Sequence, residues 1–177
     1  MLMAVFCLGA SLIGINAQEK DWANLQRYAQ QNAELPKPDK NEKRVVFMGN
    51  SITEGWVNTH PDFFKSNGYI GRGIGGQTSY QFLVRFREDV INLSPALVVI
   101  NAATNDIAEN TGAYHEDRTF GNIVSMVELA KANHIKVILT TTLPAAAFGW
   151  NPAIKDAPQK IASLNARPVS YTHLTLP

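Results

Sequence analysis

Arg44-Val45-Val46-Phe47-Met48-Gly49-Asn50-Ser51-Ile52-Thr53-Glu54-Gly55 is the stretch on which the fold turns. Its apolar run is short, does not alternate with polar residues and stops at Gly49. That is the pattern of a buried strand feeding a turn, after which Ser51 opens a helix. Working outward, the pattern recurs. Tyr69–Ile74 reads as a second strand, Ala96–Ala102 as a third with both faces covered, and Lys136–Leu143 as a fourth of similar kind. Between the last two, Phe120, Ile123, Val124 and Val127 form the stripe of an amphipathic helix. Upstream, Trp22, Leu25, Tyr28 and Ala29 have helical spacing within Asp21–Ala33, with Asp21 as N-cap, and Glu34-Leu35-Pro36-Lys37-Pro38 breaks the helix into a linker. Strands alternating with helices predict a three-layer α/β domain, a parallel sheet with helices on both faces. Ligands of such sheets bind beyond the carboxyl ends of the strands, so the residues after each strand carry the chemistry.

Three blocks occupy those positions. After the first strand comes Gly49-Asn50-Ser51-Ile52-Thr53-Glu54. A serine at a strand-to-helix turn has an exposed hydroxyl and its own N–H at a helix N-terminus, which favours an oxyanion. Ser51 with Glu54 equally reads as a capping box that only satisfies helix amides. After the second strand, Gly71, Gly73 and Gly76 match G-x-G-x-x-G, the spacing of a dinucleotide loop. The motif follows the second strand rather than the first, Glu88 and Asp89 lie in a helical stretch, and the lysine of a phosphate loop is lacking. A glycine-rich turn that brings a backbone N–H close to a small reacting group is the preferred alternative. After the third strand, Asn105 in Ala102-Ala103-Thr104-Asn105-Asp106 is either an amide donor for an oxyanion or an ordinary turn residue.

The rest of the sequence bounds the class. With 16 Lys+Arg against 15 Asp+Glu over 177 residues, the chain carries no electrostatic footprint for nucleic acid. The apolar stretch Leu2–Ile13 followed by Gly14-Ile15-Asn16-Ala17 reads as a signal peptide over 1–17, with maturation at Gln18 and export to the periplasm or medium; a buried N-terminal helix is the alternative. The stretch is too short for a membrane span. Cys7, the single cysteine, would leave with the signal, and the residues before it do not read as a lipoprotein box. The linker and leading helix fill 18–42 and the domain 43–166. Beyond Ala166 the pattern changes: Pro168 and the residues after it fit no helix or strand, and 168–177 resembles translated sequencing adapter, so 167–177 reads as a non-native tail. Trp56 either lines the cleft or packs its helix, and Arg85 and Arg87 read as a solvated face.

Residues 44–110 resemble the SGNH hydrolases, also called GDSL-like lipases or acylhydrolases. The resemblance implies a flavodoxin-like sheet and ester hydrolysis without metal or cofactor. It places the nucleophile on Ser51 and the oxyanion hole on Ser51, Gly76 and Asn105. Asn50 stands where the family usually has Asp, and Ala103 where it usually has Gly. The family's late Asp-x-x-His block is missing. His60, His115 and His134 read as solvated or capping, and His173 is preceded at three residues by Ser170, which lacks the carboxylate. The expectation is therefore an exported serine esterase acting on small acyl groups of carbohydrate esters, truncated and poorly active as it stands. The alternative is a non-catalytic glycan- or ester-binding module on the same fold, and a flavin or dinucleotide binder ranks last.

Overall fold

The computed structural model describes residues 21–175, with side chains as far as Arg167. The expected signal peptide 1–17, the start at Gln18 and Cys7 lie outside the described residues. Four strands, β1 (Val45–Gly49), β2 (Tyr69–Gly73), β3 (Leu97–Ile100) and β4 (Lys136–Leu139), form one sheet in the order β2-β1-β3-β4. Every pairing is parallel. The helices are α1 (Gln26–Glu34), α2 (Ser51–Thr59), α3 (Pro61–Ser66), α4 (Ser79–Asp89), α5 (Thr104–Ile107), α6 (Glu116–Ala132) and α7 (Ala157–Thr175), with a 3-10 turn at Ile91–Leu93. The three-layer α/β expectation is met, because each strand is followed by a helix that returns the chain to the same end of the sheet.

On one face Val46 and Met48 of β1 and Val98 and Ile100 of β3 pack with Phe82 and Phe86 of α4 and Ile123, Met126 and Ala130 of α6. Each fully buried side chain of this size contributes about 1.5–3 kcal/mol. On the other face α2 and α3 cover β1 and β2 through rings. Phe47 lies 5.5 Å from Trp56 and 5.3 Å from Phe64, and Trp56 stacks on Phe63 at 5.3 Å, so Trp56 packs its helix.

Four local expectations are corrected. β4 is not buried on both faces: it is the edge strand, and Lys136 and Ile138 are exposed because α6 covers one face only. The first helix begins at Gln26 rather than at Asp21. Asp21 still serves it, accepting from Leu25 N–H at 2.8 Å and Gln26 N–H at 3.0 Å, and these bonds hold its carboxyl below the usual range. The residues after Pro168 do continue a helix, since α7 runs to Thr175; proline's fixed φ is helical and only one backbone bond is lost. Finally, Arg85 is not solvated, as described below. β1 is the switch point of the sheet, with β2 on one side and β3 on the other, so the loops after these three strands meet at one crevice.

Candidate active site

The turn after β1 admits little beside glycine. A Cβ on Gly49 would lie 2.0 Å from Thr53 Oγ1. Asn50 follows in extended backbone as the helix cap, 1 % exposed, its Oδ1 accepting from Ile52 N–H at 3.0 Å. Asn50 thus satisfies the helix amide. This corrects the capping-box reading: Ser51 is the first helical residue, and Glu54 accepts instead from Gly75 N–H at 2.8 Å and pairs with Arg27 at 3.2 Å. Ser51 is exposed, and among the described residues nothing hydrogen-bonds to its hydroxyl.

Gly71 and Gly73 lie within β2, not in a loop. A Cβ on Gly73 would meet Glu54 N at 2.3 Å, and one on Gly71 would meet Val57 Cγ2 at 2.2 Å. These glycines let α2 lie close on β2, which removes them from any phosphate-binding role and leaves the dinucleotide pattern without its turn. The chain then reverses over Ile74–Gln77, closed by Gln77 N–H to Ile74 C=O at 3.4 Å, with Gly76 at φ +75°. That φ is the glycine-favoured third position of a type II turn. The turn abuts the serine, since a Cβ on Gly75 would be 3.8 Å from Ser51 Cβ. Ile74 N–H also donates to Gly49 C=O at 3.1 Å, tying the first two blocks together. Neither the Ser51 nor the Gly76 N–H has an acceptor among the described residues.

The third block joins them. Asn105 is 3 % exposed, and its Nδ2 donates to Gln77 C=O at 2.9 Å, which uses one of its two amide protons. Ala103 holds φ +82°, ψ −20°, a left-handed geometry that favours glycine; the methyl group strains the backbone by about 1–2 kcal/mol. Asp106 accepts from Ser79 N–H at 2.9 Å, from the Ser79 hydroxyl and from the Thr119 hydroxyl at 3.2 Å. Burial pushes its carboxyl above the usual range against the pull of these bonds. It clamps α4 and α6 beneath the site.

Sequence reading missed the support of this crevice. Arg85 is fully buried and donates to Gln77 Oε1 at 2.6 Å, to Asp89 at 2.8 Å and to Gly49 C=O at 3.0 Å, so one guanidinium braces the ends of the first two blocks. Burial lowers its pKa and Asp89 opposes the shift. The signal was present: Phe82, Arg85, Phe86 and Asp89 share the buried face of α4, with opposite charges four residues apart. Asn110, which donates to Gly76 C=O, and Trp150, which donates to Asn110, left no such trace. His60 and His134 terminate α2 and α6, and His115 precedes α6; all are exposed, and none hydrogen-bonds to Ser51. The side chains of Ser170 and His173 lie outside the described residues. No group of three or more His, Cys, Asp or Glu that could hold a metal ion occurs among the described residues.

Comparison with known proteins bears on this geometry. The chain is 32% identical over 117 residues to the uncharacterised lipoprotein YqeF of Bacillus subtilis (strain 168), covering 56% of this chain and 48% of that one, so it spans about half the length of this curated relative. It superimposes at TM-score 0.87 on the crystal structure of a candidate acylhydrolase of Bacteroides fragilis NCTC 9343, 96% identical, over 88% of this chain and 75% of that one. A GDSL-like lipase of Bacteroides thetaiotaomicron VPI-5482 gives TM-score 0.85 at 77% identity, over 86% and 74%. The profile of the GDSL-like lipase/acylhydrolase family matches residues 47–168, from β1 through all three blocks into α7, and the chain belongs to that family.

Proposed function

We propose that the chain carries the nucleophile and oxyanion hole of a carboxylic ester hydrolase. The observation that carries this reading is a Ser51 hydroxyl without a partner beside two N–H groups, of Ser51 and Gly76, without acceptors. Both residues are exposed, so these N–H groups are open to an incoming oxygen at the start of α2, where negative charge is favoured. In the proposed reaction Ser51 Oγ attacks the acyl carbon. The charge developing on the carbonyl oxygen is received by the Ser51 and Gly76 N–H groups and the second Asn105 Nδ2 proton; the alcohol leaves, and water hydrolyses the acyl-enzyme. Names borne by the similar Bacteroides structures, an acylhydrolase and a lipase, support ester chemistry. Small acyl groups on carbohydrates are the proposed substrates, with export of the protein, which the lipoprotein relative supports. Since no imidazole hydrogen-bonds to Ser51 among the described residues, we expect this chain by itself to turn over esters slowly.

A second reading, a glycan- or ester-binding module without catalysis, is favoured by the absence of an imidazole on Ser51 among the described residues and by the strain at Ala103. A serine-reactive fluorophosphonate separates the two in the full-length protein, because it labels only an activated serine. An ester hydrolase is labelled at Ser51 and loses the label in Ser51→Ala, whereas a binding module takes up ester without reacting. Rapid p-nitrophenyl acetate turnover that survives Ser51→Ala would refute the assignment.

A further inference from the structure

The reverse turn that presents Gly76 is gripped by side chains from three other segments. Gly75 N–H donates to Glu54 Oε2 at 2.8 Å, Gly76 C=O accepts from Asn110 Nδ2 at 3.0 Å, and Gln77 C=O accepts from Asn105 Nδ2 at 2.9 Å. The outer peptides are thereby fixed, and the central peptide keeps its N–H open at Gly76 φ +75°. Asn110 is exposed, where a lone carboxamide turns end for end and a single hydrogen bond holds it weakly. Here the turning is blocked. Asn110 Oδ1 accepts from Trp150 Nε1–H at 3.0 Å, and an indole N–H can only donate, so the oxygen end is committed to Trp150 and the NH2 end must face Gly76. Trp150 is 61 % exposed, but its ring rests on the buried Phe148 at 5.2 Å. The Asn110 N–H donates to Asn105 C=O at 3.0 Å, so Asn110 is tied to the third block as well as to the second.

We propose that Asn110 and Trp150 are positioning residues of the oxyanion hole: the Trp150 indole orients the Asn110 carboxamide, which holds Gly76 C=O and so fixes the outer peptide next to the central one that carries the Gly76 N–H beside Ser51. The inference rests on the reading of Ser51 and Gly76 given above. Its consequence is large because a displacement of about 1 Å at groups that receive the developing charge costs on the order of a hundredfold in rate.

The test uses acetate, whose carboxylate oxygen stands in for the oxyanion, titrated into the 15N-labelled chain while backbone amide and indole resonances are followed. In the unaltered chain acetate shifts the Ser51 and Gly76 amides. Asn110→Ala displaces the Trp150 indole resonance and weakens acetate binding about tenfold, the equivalent of one lost hydrogen bond. Trp150→Phe keeps the ring on Phe148, removes only the N–H donor and weakens binding in the same direction; a dispersed spectrum verifies folding of each variant. Unchanged acetate affinity in both folded variants overturns the relay while leaving Ser51 and Gly76 as assigned. If acetate moves neither amide in the unaltered chain, the assignment of the hole falls and the relay falls with it.

Discussion

Replacing Arg85 with methionine tests whether the crevice is built on one buried cation. The guanidinium is 0 % exposed and serves Gln77, Asp89 and Gly49 C=O, while Asp89, 2 % exposed, keeps only Asn32 Nδ2 at 2.7 Å as a further side-chain donor. Methionine fills much of the volume but strips Asp89 of its ion-pair partner, leaving the Asn32 hydrogen bond and the charge of the buried Arg72; breaking such a buried pair costs at most about 3–5 kcal/mol. For a domain of this size that lowers Tm by roughly 6–20 °C. Thermal and urea unfolding followed by circular dichroism measure it. The double variant Arg85→Met/Asp89→Leu removes both charges and should regain a large part of the loss, because a buried ion pair is often replaceable by apolar side chains at little net cost. Arg85→Lys should fall between, since a point charge satisfies Asp89 but cannot span three acceptors. A loss below about 1 kcal/mol in Arg85→Met, or a double variant no more stable than the single, would refute the reasoning.

Further outcomes follow from the same geometry. Ala103→Gly relieves the φ +82° strain, worth about 1–2 kcal/mol, against a glycine entropy cost of about 0.5–1 kcal/mol, so urea unfolding should show a small gain and a loss would contradict the strain. Gly73→Ala places a methyl group 2.3 Å from Glu54 N and 2.8 Å from Asn50 O; because both are backbone atoms at the start of α2, it should destabilise by about 1–3 kcal/mol and displace Ser51, which unaltered Ser51 resonances would disprove. Asp106 has a raised folded pKa, so its contribution is intact at low pH and declines as pH rises through that value. Asp106→Asn lacks this decline, so its stability relative to the parent should improve as pH rises above about 4; a relative stability that falls with rising pH would show the opposite shift.

The sequence alone determined the layers and the order of the blocks. Unbroken apolar runs such as Val45–Met48 and Leu97–Ile100, alternating with helical stretches, point to a parallel sheet with helices on its faces, and glycine, asparagine and serine directly after them place the chemistry at strand ends. Local pattern also put the serine, glycine and asparagine blocks at strand ends, and the family resemblance singled out Ser51, Gly76 and Asn105 within them. What it could not decide is which of two local roles each residue takes. Whether Ser51 caps its helix or keeps a free hydroxyl depends on Asn50 taking the cap and on Gly75, from another loop, claiming Glu54. Whether Gly71 and Gly73 cradle a phosphate or admit α2 depends on how near that helix lies. The burial of Arg85, the bond from Asn110 to Gly76 and the bond from Trp150 to Asn110 belong to the same class. Hydrophobic period is a property of neighbours along the chain, whereas a hydrogen bond between residues dozens of positions apart exists only once packing has brought the loops together, and tertiary structure alone supplies that.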